Sequence, residues 1–255
     1  MMNLSFWEQE KSVGKPDVVV IGSGITGIQA AIHVKKLRPT WQVLVLERGP
    51  YPAGASTKNA GFACIGSPTE IADDLRSIGA DRTFALMERR YEGLQILLNQ
   101  AGPKHLDYLK CGGVELFTEG EEAVMNDAQS IVKEANKAIA SFSGVANAFR
   151  SWKNELGFGN VLGGIESIIE GQLHPGKMMK ILHDQALELG VQIRPGITVA
   201  NLDQNPGGIS LDTDYLGRIQ TDRIIVANNG FSRQLIPDLA VRTVRNQVLV
   251  TEEIP

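Results

Sequence analysis

The chain alternates short apolar runs with stretches in which apolar residues recur every three or four positions. Residues 17–21 read DVVVI and close on a glycine, the pattern of a strand buried on both faces. Helical spacing follows over 25–37 and stops before Pro39, a residue that disfavours helix at the position before it. Residues 42–46 form a second β-rich run that closes on Glu47. Strand, helix and strand in this order predict a βαβ unit in a parallel sheet.

Further on, Ser67-Pro68-Thr69-Glu70 predicts a helix start, a capping box with proline at the first helical position, and this helix ends near Gly79. Residues 81–100 predict a long amphipathic helix whose stripe is Phe84, Met87, Tyr91, Leu94 and Leu98, a core-packing signature. Gly102-Pro103 breaks it, and a short helix to Lys110 stops at Gly112-Gly113. Residues 114–117 predict a strand, and 119–141 a helix with its acids at the start. Residues 143–164 carry many Gly and Asn with little periodicity and read as loop with short pieces of structure. Alternation returns over 165–170, and a helix is predicted over 177–189. Strands are predicted at 191–194, 197–202, 209–213 and 218–227, with a turn at 205–208. The last of these ends in Asn228-Asn229-Gly230, at the carboxyl end where α/β sheets bind ligands. Residues 241–251 alternate as a final strand, and Phe6 and Trp7 are expected to dock on the domain surface.

The chemistry concentrates between the first strand and the second. Gly22, Gly24 and Gly27 have the G-x-G-x-x-G spacing. Gly22 allows the tight turn, Gly24 lets a pyrophosphate approach the backbone, and Gly27 lets the helix sit close to the strand. At Ile25 and Thr26 the helix start turns free N–H groups and its positive dipole end toward the phosphates. Glu47 lies twenty residues beyond Gly27, where a carboxylate accepts hydrogen bonds from both ribose hydroxyls of a dinucleotide. The competing reading is an ordinary buried βαβ unit with glycine turns.

Glu47-Arg48-Gly49 is followed after a short loop by Ala55-Ser56-Thr57-Lys58-Asn59-Ala60-Gly61-Phe62. This combination resembles the FAD-dependent D-amino-acid oxidase-like family, which includes glycine and sarcosine oxidases. The resemblance implies that Glu47, with Arg48 beside it, binds the adenosine ribose. It also implies that Ser56, Thr57, Lys58, Asn59 and Gly61 line the pyrophosphate and the flavin ring. Gly171-Gln172-Leu173-His174-Pro175-Gly176 resembles the family's turn into the helix that leads back to the dinucleotide sheet. Val199 is implied to meet adenine through its backbone. Ala227 and Gly230 match the family's small-residue turn near the FAD phosphates, and Asn228 and Asn229 depart from it. Taken without the family, 55–61 is a polar loop and 227–230 a strand-ending turn. Residues 241–251 resemble the strand that enters the substrate domain.

The fold class implied is α/β, a Rossmann-like FAD-binding domain with a parallel sheet, interrupted by a partial α+β substrate domain. The expected boundaries are 1–110 and 165–237 for the FAD-binding domain, 111–164 for the first substrate segment, and 238–255 for the start of the second. The implied reaction is oxidation of an amino acid or secondary amine by hydride transfer to flavin. Alternatives are a 2-hydroxy acid oxidase on the same scaffold, a nicotinamide dehydrogenase sharing only residues 17–47, and a non-catalytic dinucleotide-binding remnant. The family's later substrate strands, carboxylate anchor and closing flavin segment have no counterpart among the 255 residues. The chain therefore resembles an N-terminal part, expected to hold FAD weakly, not to turn over alone, and to self-associate through its last strand as a bare edge.

Composition narrows the partners. Hydrophobic residues make up 43% and charged residues 21%, ordinary for a globular protein. A net charge of −4 offers no field for nucleic acid or an anionic membrane, so a small-molecule partner is expected and neither of those. No apolar run has the length of a membrane span, and the N-terminal residues carry no apolar signal core. Two cysteines, Cys64 and Cys111, make no disulfide framework and suit the cytoplasm; Cys64 is expected to be a small buried thiol. Four histidines, 33, 105, 174 and 183, show no metal-ligand spacing and are expected to be structural or on the surface.

Overall fold

The computed structural model describes residues 14–52, 54–154, 156–244 and 246–251. Two compact units divide the chain at 60/61 and 174/175. The first unit opens with β1 (Val18–Ile21), α1 (Ile25–Leu37) and β2 (Val43–Leu46). Every residue of the two strands is buried, as expected for a parallel sheet covered on both sides. A single 3-10 turn, Ala55–Thr57, closes this first segment.

The second unit contains β3 (Phe62–Ala63), α2 (Pro68–Ile78), α3 (Ala80–Ala101), β4 (Gly113–Thr118), α4 (Glu122–Ser143), β5 (Phe149–Trp152), β6 (Val161–Ser167) and β7 (Gly171–Gln172). Its sheet runs β4-β6-β5, antiparallel throughout, and β3 pairs with β7. Ile71 of α2, Met87 of α3, Ala135 and Ile139 of α4 share one core with Phe117, Phe149 and Ile165 of the sheet. This common core is why residues 61–110 pack with 111–174, where the sequence reading places a boundary at 110. Ser67 caps α2 by accepting from Glu70 N at 3.3 Å, with Pro68 in the first turn, while the Glu70 carboxylate is turned to Arg90 at 2.7 Å. The stripe of α3 sinks deepest at Met87, with Thr83 and Leu97 also buried. The short helix after Gly102 ends at Leu106, earlier than expected.

Residues 143–164 are loop with short pieces of structure, as expected, the pieces being β5 and the first four residues of β6. The sheet strand ends at Ser167, so 168–170 fall outside it. Asn136 explains why such a weakly periodic segment pairs. Its buried side-chain amide donates to Phe149 O and its side-chain oxygen accepts from Phe149 N, both at 2.8 Å. Helix α4 thus pins the start of β5 through side-chain bonds that alternation of apolar residues does not report.

The chain returns to the first unit through α5 (Pro175–Glu188), β8 (Gln192–Arg194), β9 (Val199–Asn205), β10 (Gly208–Thr213), β11 (Arg218–Thr221) and β12 (Arg223–Val226). The parallel sheet has the order β12-β1-β2-β8. Val20, at the centre of β1, aligns with Ile225 on one side and Val45 on the other. A separate antiparallel sheet, β11-β10-β9, packs its Leu211 and Ile219 with Val19, Ile21, Leu44 and Leu46 of the parallel sheet. The single strand expected over 218–227 is therefore two strands in two sheets. The corner is held by the Thr221 hydroxyl, which donates to Pro16 O at 2.8 Å.

Residues 241–244 and 246–251 form no strand, against expectation, and Leu249 and Val250 are exposed. An alternating run becomes a strand only where a neighbour takes its backbone bonds, and no such edge is formed among the described residues of this segment. Phe6 and Trp7 lie outside the described residues. No helix among the described residues is long and apolar enough to cross a membrane.

Helix α1 approaches β1 so closely that a Cβ on Gly27 would stand 1.9 Å from Gly22 O and 3.3 Å from Val20 Cγ1. The oxygen is backbone and cannot swing aside. Gly27→Ala is expected to cost about 2–3 kcal/mol through overpacking. Thermal unfolding should show it as a fall of roughly 5–10 °C in Tm.

Candidate functional site

In the order β12-β1-β2-β8 the chain leaves β1 toward β2 on one side and comes back as β12 on the other. The carboxyl end of β1 is thus a switch point, the place where open α/β sheets bind ligands. Gly22 sits there, donating from its N–H to Leu46 O at 2.8 Å. Its φ of +100° favours glycine, and a Cβ would stand 2.7 Å from Ala227 O. Ala227 is brought to this point by its own N–H bond to Ile21 O at 2.9 Å.

Ser23 is fully buried and faces Glu47. Its N–H and its hydroxyl both donate to Glu47 Oε2, at 2.9 and 2.8 Å, and Gly49 N donates to Oε1 at 3.0 Å. The Glu47 backbone is fixed by Glu47 N to Arg194 O at 3.0 Å and Ile197 N to Glu47 O at 2.8 Å. The acid is therefore locked to the glycine loop and to the segment that leads into Val199. Val199, half-buried at the start of β9, packs on the core between the two sheets.

Gly24 is the N-cap residue of α1, in extended backbone and without a capping side chain of its own. Ser56 supplies that cap from 31 residues further along, accepting from Ile25 N at 2.9 Å. A Cβ on Gly24 would stand 2.8 Å from the same Ser56 Oγ. The space that the missing Cβ opens beside Gly24 is thus filled by a hydroxyl, so Ser56 and Gly24 form one feature rather than two. The turn carrying Ser56 is tied by Thr57 Oγ1 donating to Pro52 O at 2.8 Å and by Asn59 Nδ2 donating to Ser56 O at 2.9 Å. With no acid in its first turn and Lys35 and Lys36 in its last, α1 keeps an uncompensated positive end at this loop.

Gly22, Gly24, Ile25, Gly27, Glu47, Ser56 and Ala227 are brought together around one loop. Thr26 and Lys58 are exposed. Arg48 is exposed and places its guanidinium 4.2 Å from the ring centre of Phe231, in the 3-10 segment Asn229–Gln234. Gly230 abuts Thr243: a Cβ there would stand 1.7 Å from Thr243 Cγ2. Gly61 belongs to the other unit, where its carbonyl accepts from Leu173 N at 2.9 Å. One partner of the loop carried no sequence signal. His183, on α5, lies with Nε2 at 2.9 Å from Ser23 O.

The second unit holds its own titratable group. Burial pushes the Glu170 carboxyl up to about 7, aided by the charges of Glu115 and Glu70 and opposed by N–H bonds from Ile65 and Gly66. Glu115 accepts from Thr69 N at 3.1 Å and from the Thr69 hydroxyl. Cys64 is exposed rather than a buried thiol. Desolvation, then Glu170 and Glu70, raise its pKa, which keeps it a thiol and a poor nucleophile.

The model of the FAD dependent oxidoreductase family, DAO, matches residues 17–255. The chain belongs to this family. Its members are FAD-dependent, and the glycine cradle with its locked acid fits a dinucleotide. The chain is 27% identical over 234 residues to the bifunctional protein ThiO/ThiG of Synechocystis sp., covering 91% of this chain and 32% of that protein. It is 25% identical over 232 residues to the probable oxidoreductase OrdL of Haemophilus influenzae, covering 87% and 53%. Among solved structures it matches glycine oxidase from Geobacillus kaustophilus, with a TM-score of 0.60 and 19% identity over 87% of this chain and 57% of that one. Iminodiacetate oxidase from Chelativorans sp. BNC1 gives a TM-score of 0.65 and 22% identity over 88% and 58%. The DAO chain described here thus spans between about a third and a little over half of the length of these relatives.

A carboxyl whose folded pKa lies above its unfolded value loses stability as pH rises between the two, because only the unfolded state ionises freely there. Glu170 should therefore make the protein less stable as pH rises from about 4.5 to about 7, with the penalty constant above that. Glu170→Gln retains an oxygen to accept from Ile65 N. Denaturant unfolding should show the variant stabilised by up to a few kcal/mol at pH 8 and unchanged at pH 4.

Proposed function

We propose that this chain supplies the FAD site of an oxidoreductase that acts on an amino acid or a secondary amine. The observation that carries the dinucleotide part is the Glu47 carboxylate, held by Ser23 and Gly49 at the mouth of the glycine loop. A carboxylate offers about four acceptor positions, and these three bonds leave room for a ribose hydroxyl. Gly24, with Ile25 and Thr26 at the helix start, takes the pyrophosphate, Gly22 and Gly27 shape the turn and the helix contact behind it, and Ser56, Thr57, Lys58 and Asn59 continue along it. Arg48 lies beside the ribose acid, Val199 serves adenine through its backbone, and Ala227 and Gly230 border the phosphates. The amine or amino-acid part is supported by the relatives named glycine oxidase and iminodiacetate oxidase. Because the chain spans only part of their length, turnover is proposed for a protein of the relatives' size.

FAD, when bound, supplies the two-electron acceptor that takes a hydride from the substrate carbon beside nitrogen. The residues of this chain hold and orient it. The positive end of α1 stabilises the pyrophosphate charge, and Glu47 selects a ribose without a 2′-phosphate, which would meet like charge.

Titration of the chain with FAD, followed by flavin fluorescence, tests the reading. Saturable binding is expected. Glu47→Gln should raise Kd about ten- to a hundredfold, the range for losing a charged hydrogen bond, with a small fall in Tm, roughly 2–6 °C, because the amide NH2 would face the N–H of Ser23 or of Gly49. Gly24→Val should abolish binding, since its side chain would collide with Ser56 and fill the cradle. Preference of the parent for NADP(H) over FAD, or equal FAD affinity in Glu47→Gln, would overturn the assignment.

A further inference from the structure

We propose that His183 is a positioning residue for the dinucleotide loop, aiming the Gly24 N–H and the Glu47 carboxylate through one shared residue, Ser23. The proposal rests on the FAD reading of this loop. His183 comes from α5, 160 residues beyond Ser23, and its Nε2 lies 2.9 Å from Ser23 O. A carbonyl oxygen only accepts, so the imidazole carries its proton on Nε2 and donates.

This bond acts on more than one carbonyl. The Ser23–Gly24 peptide is trans and planar, so its C=O and the N–H of Gly24 point in opposite directions. Anchoring the Ser23 oxygen on α5 therefore turns the Gly24 N–H away from α5. On its other side Ser23 gives both its N–H and its hydroxyl to Glu47 Oε2. Ser23 is held at three atoms, two toward Glu47 and one toward His183, with no exposed surface. Gly24, which follows it, has no side chain to resist rotation, and Gly22, which precedes it, is in a conformation that glycine adopts freely. Between two such residues the orientation of the Ser23 peptide is set by these outside bonds. Releasing the oxygen frees the donor aimed at the pyrophosphate and loosens the acid aimed at the ribose.

The packing of α5 rests mainly on other residues. Met178, Met179, Leu182 and Ala186 are the buried residues of the helix, and His183 is half-buried beside them. Its removal should therefore register in the loop and in cofactor affinity before it registers in the fold.

The test compares His183→Ala and His183→Gln with the parent chain, the glutamine amide being a second N–H donor of similar reach. FAD affinity is read by fluorescence titration, Tm by thermal unfolding, and loop order by hydrogen exchange in peptides covering residues 22–28. Expected is a roughly tenfold rise in Kd for His183→Ala, recovery of most of it in His183→Gln, faster exchange around Ser23 in the alanine variant only, and Tm close to the parent in both. Unchanged affinity and exchange in His183→Ala would overturn the proposal. So would loss of affinity that tracks a falling Tm equally in both variants, the mark of a merely structural side chain. If the parent binds no FAD, the functional reading fails and the exchange data decide: faster exchange restored by glutamine supports the positioning role, and unchanged exchange rejects it.

Discussion

The contact on which the first unit depends is the one between α1 and the end of β1. The helix can lie against the strand only because position 27 has no Cβ to meet the carbonyl of Gly22. That proximity directs the positive end of α1 at the loop and keeps its first N–H groups beside the carboxyl ends of the parallel strands. A helix displaced outward by even one methyl group would carry its N-terminus away from Glu47, and the loop would lose the geometry on which the proposed phosphate site depends.

Around that contact, each part of the site is held by a residue distant in sequence. Ser56 caps the helix, Arg194 and Ile197 hold the backbone of Glu47, Ala227 closes on Gly22, and His183 holds Ser23. None of these bonds is strong by itself, since a neutral hydrogen bond contributes about 1 kcal/mol net. Their effect is directional. The loop has little conformational preference of its own, because glycine supplies three of its six residues, so packing and hydrogen bonds from the surrounding elements select one arrangement. Preorganisation of this kind reduces the ordering cost that a ligand would otherwise meet on binding.

The second unit is built on a different principle. Three helices share one core with an antiparallel sheet, and polar groups inside that unit are placed where burial alters their chemistry. Asn136 completes the backbone of Phe149, and the Glu170 carboxyl is pushed up to about 7 because water is excluded from it more than its N–H partners compensate. Cys64, exposed on this unit, has its thiol pKa raised by partial desolvation and by the neighbouring acids Glu170 and Glu70.

By itself the sequence determined the first βαβ unit almost to the residue, because buried parallel strands, a proline after a helix and glycines at fixed spacing are local requirements of backbone and packing. It also determined α2 from its cap and Gly79, α3 from its apolar stripe and the Gly102-Pro103 break, α4 from its acidic start, and the family, carried by the run from Gly22 to Gly61. Only the tertiary structure decided what depended on a partner far along the chain. The corner at Thr221 splits one apparent strand into two sheets, Asn136 makes β5 a strand without apolar alternation, and residues 241–244 and 246–251 form no strand despite their alternation. Ser56 caps Ile25 and His183 reaches Ser23 by the same route: a hydrogen bond between residues 31 or 160 positions apart leaves no periodicity to read, and exists only once the fold has brought its two ends within 3 Å.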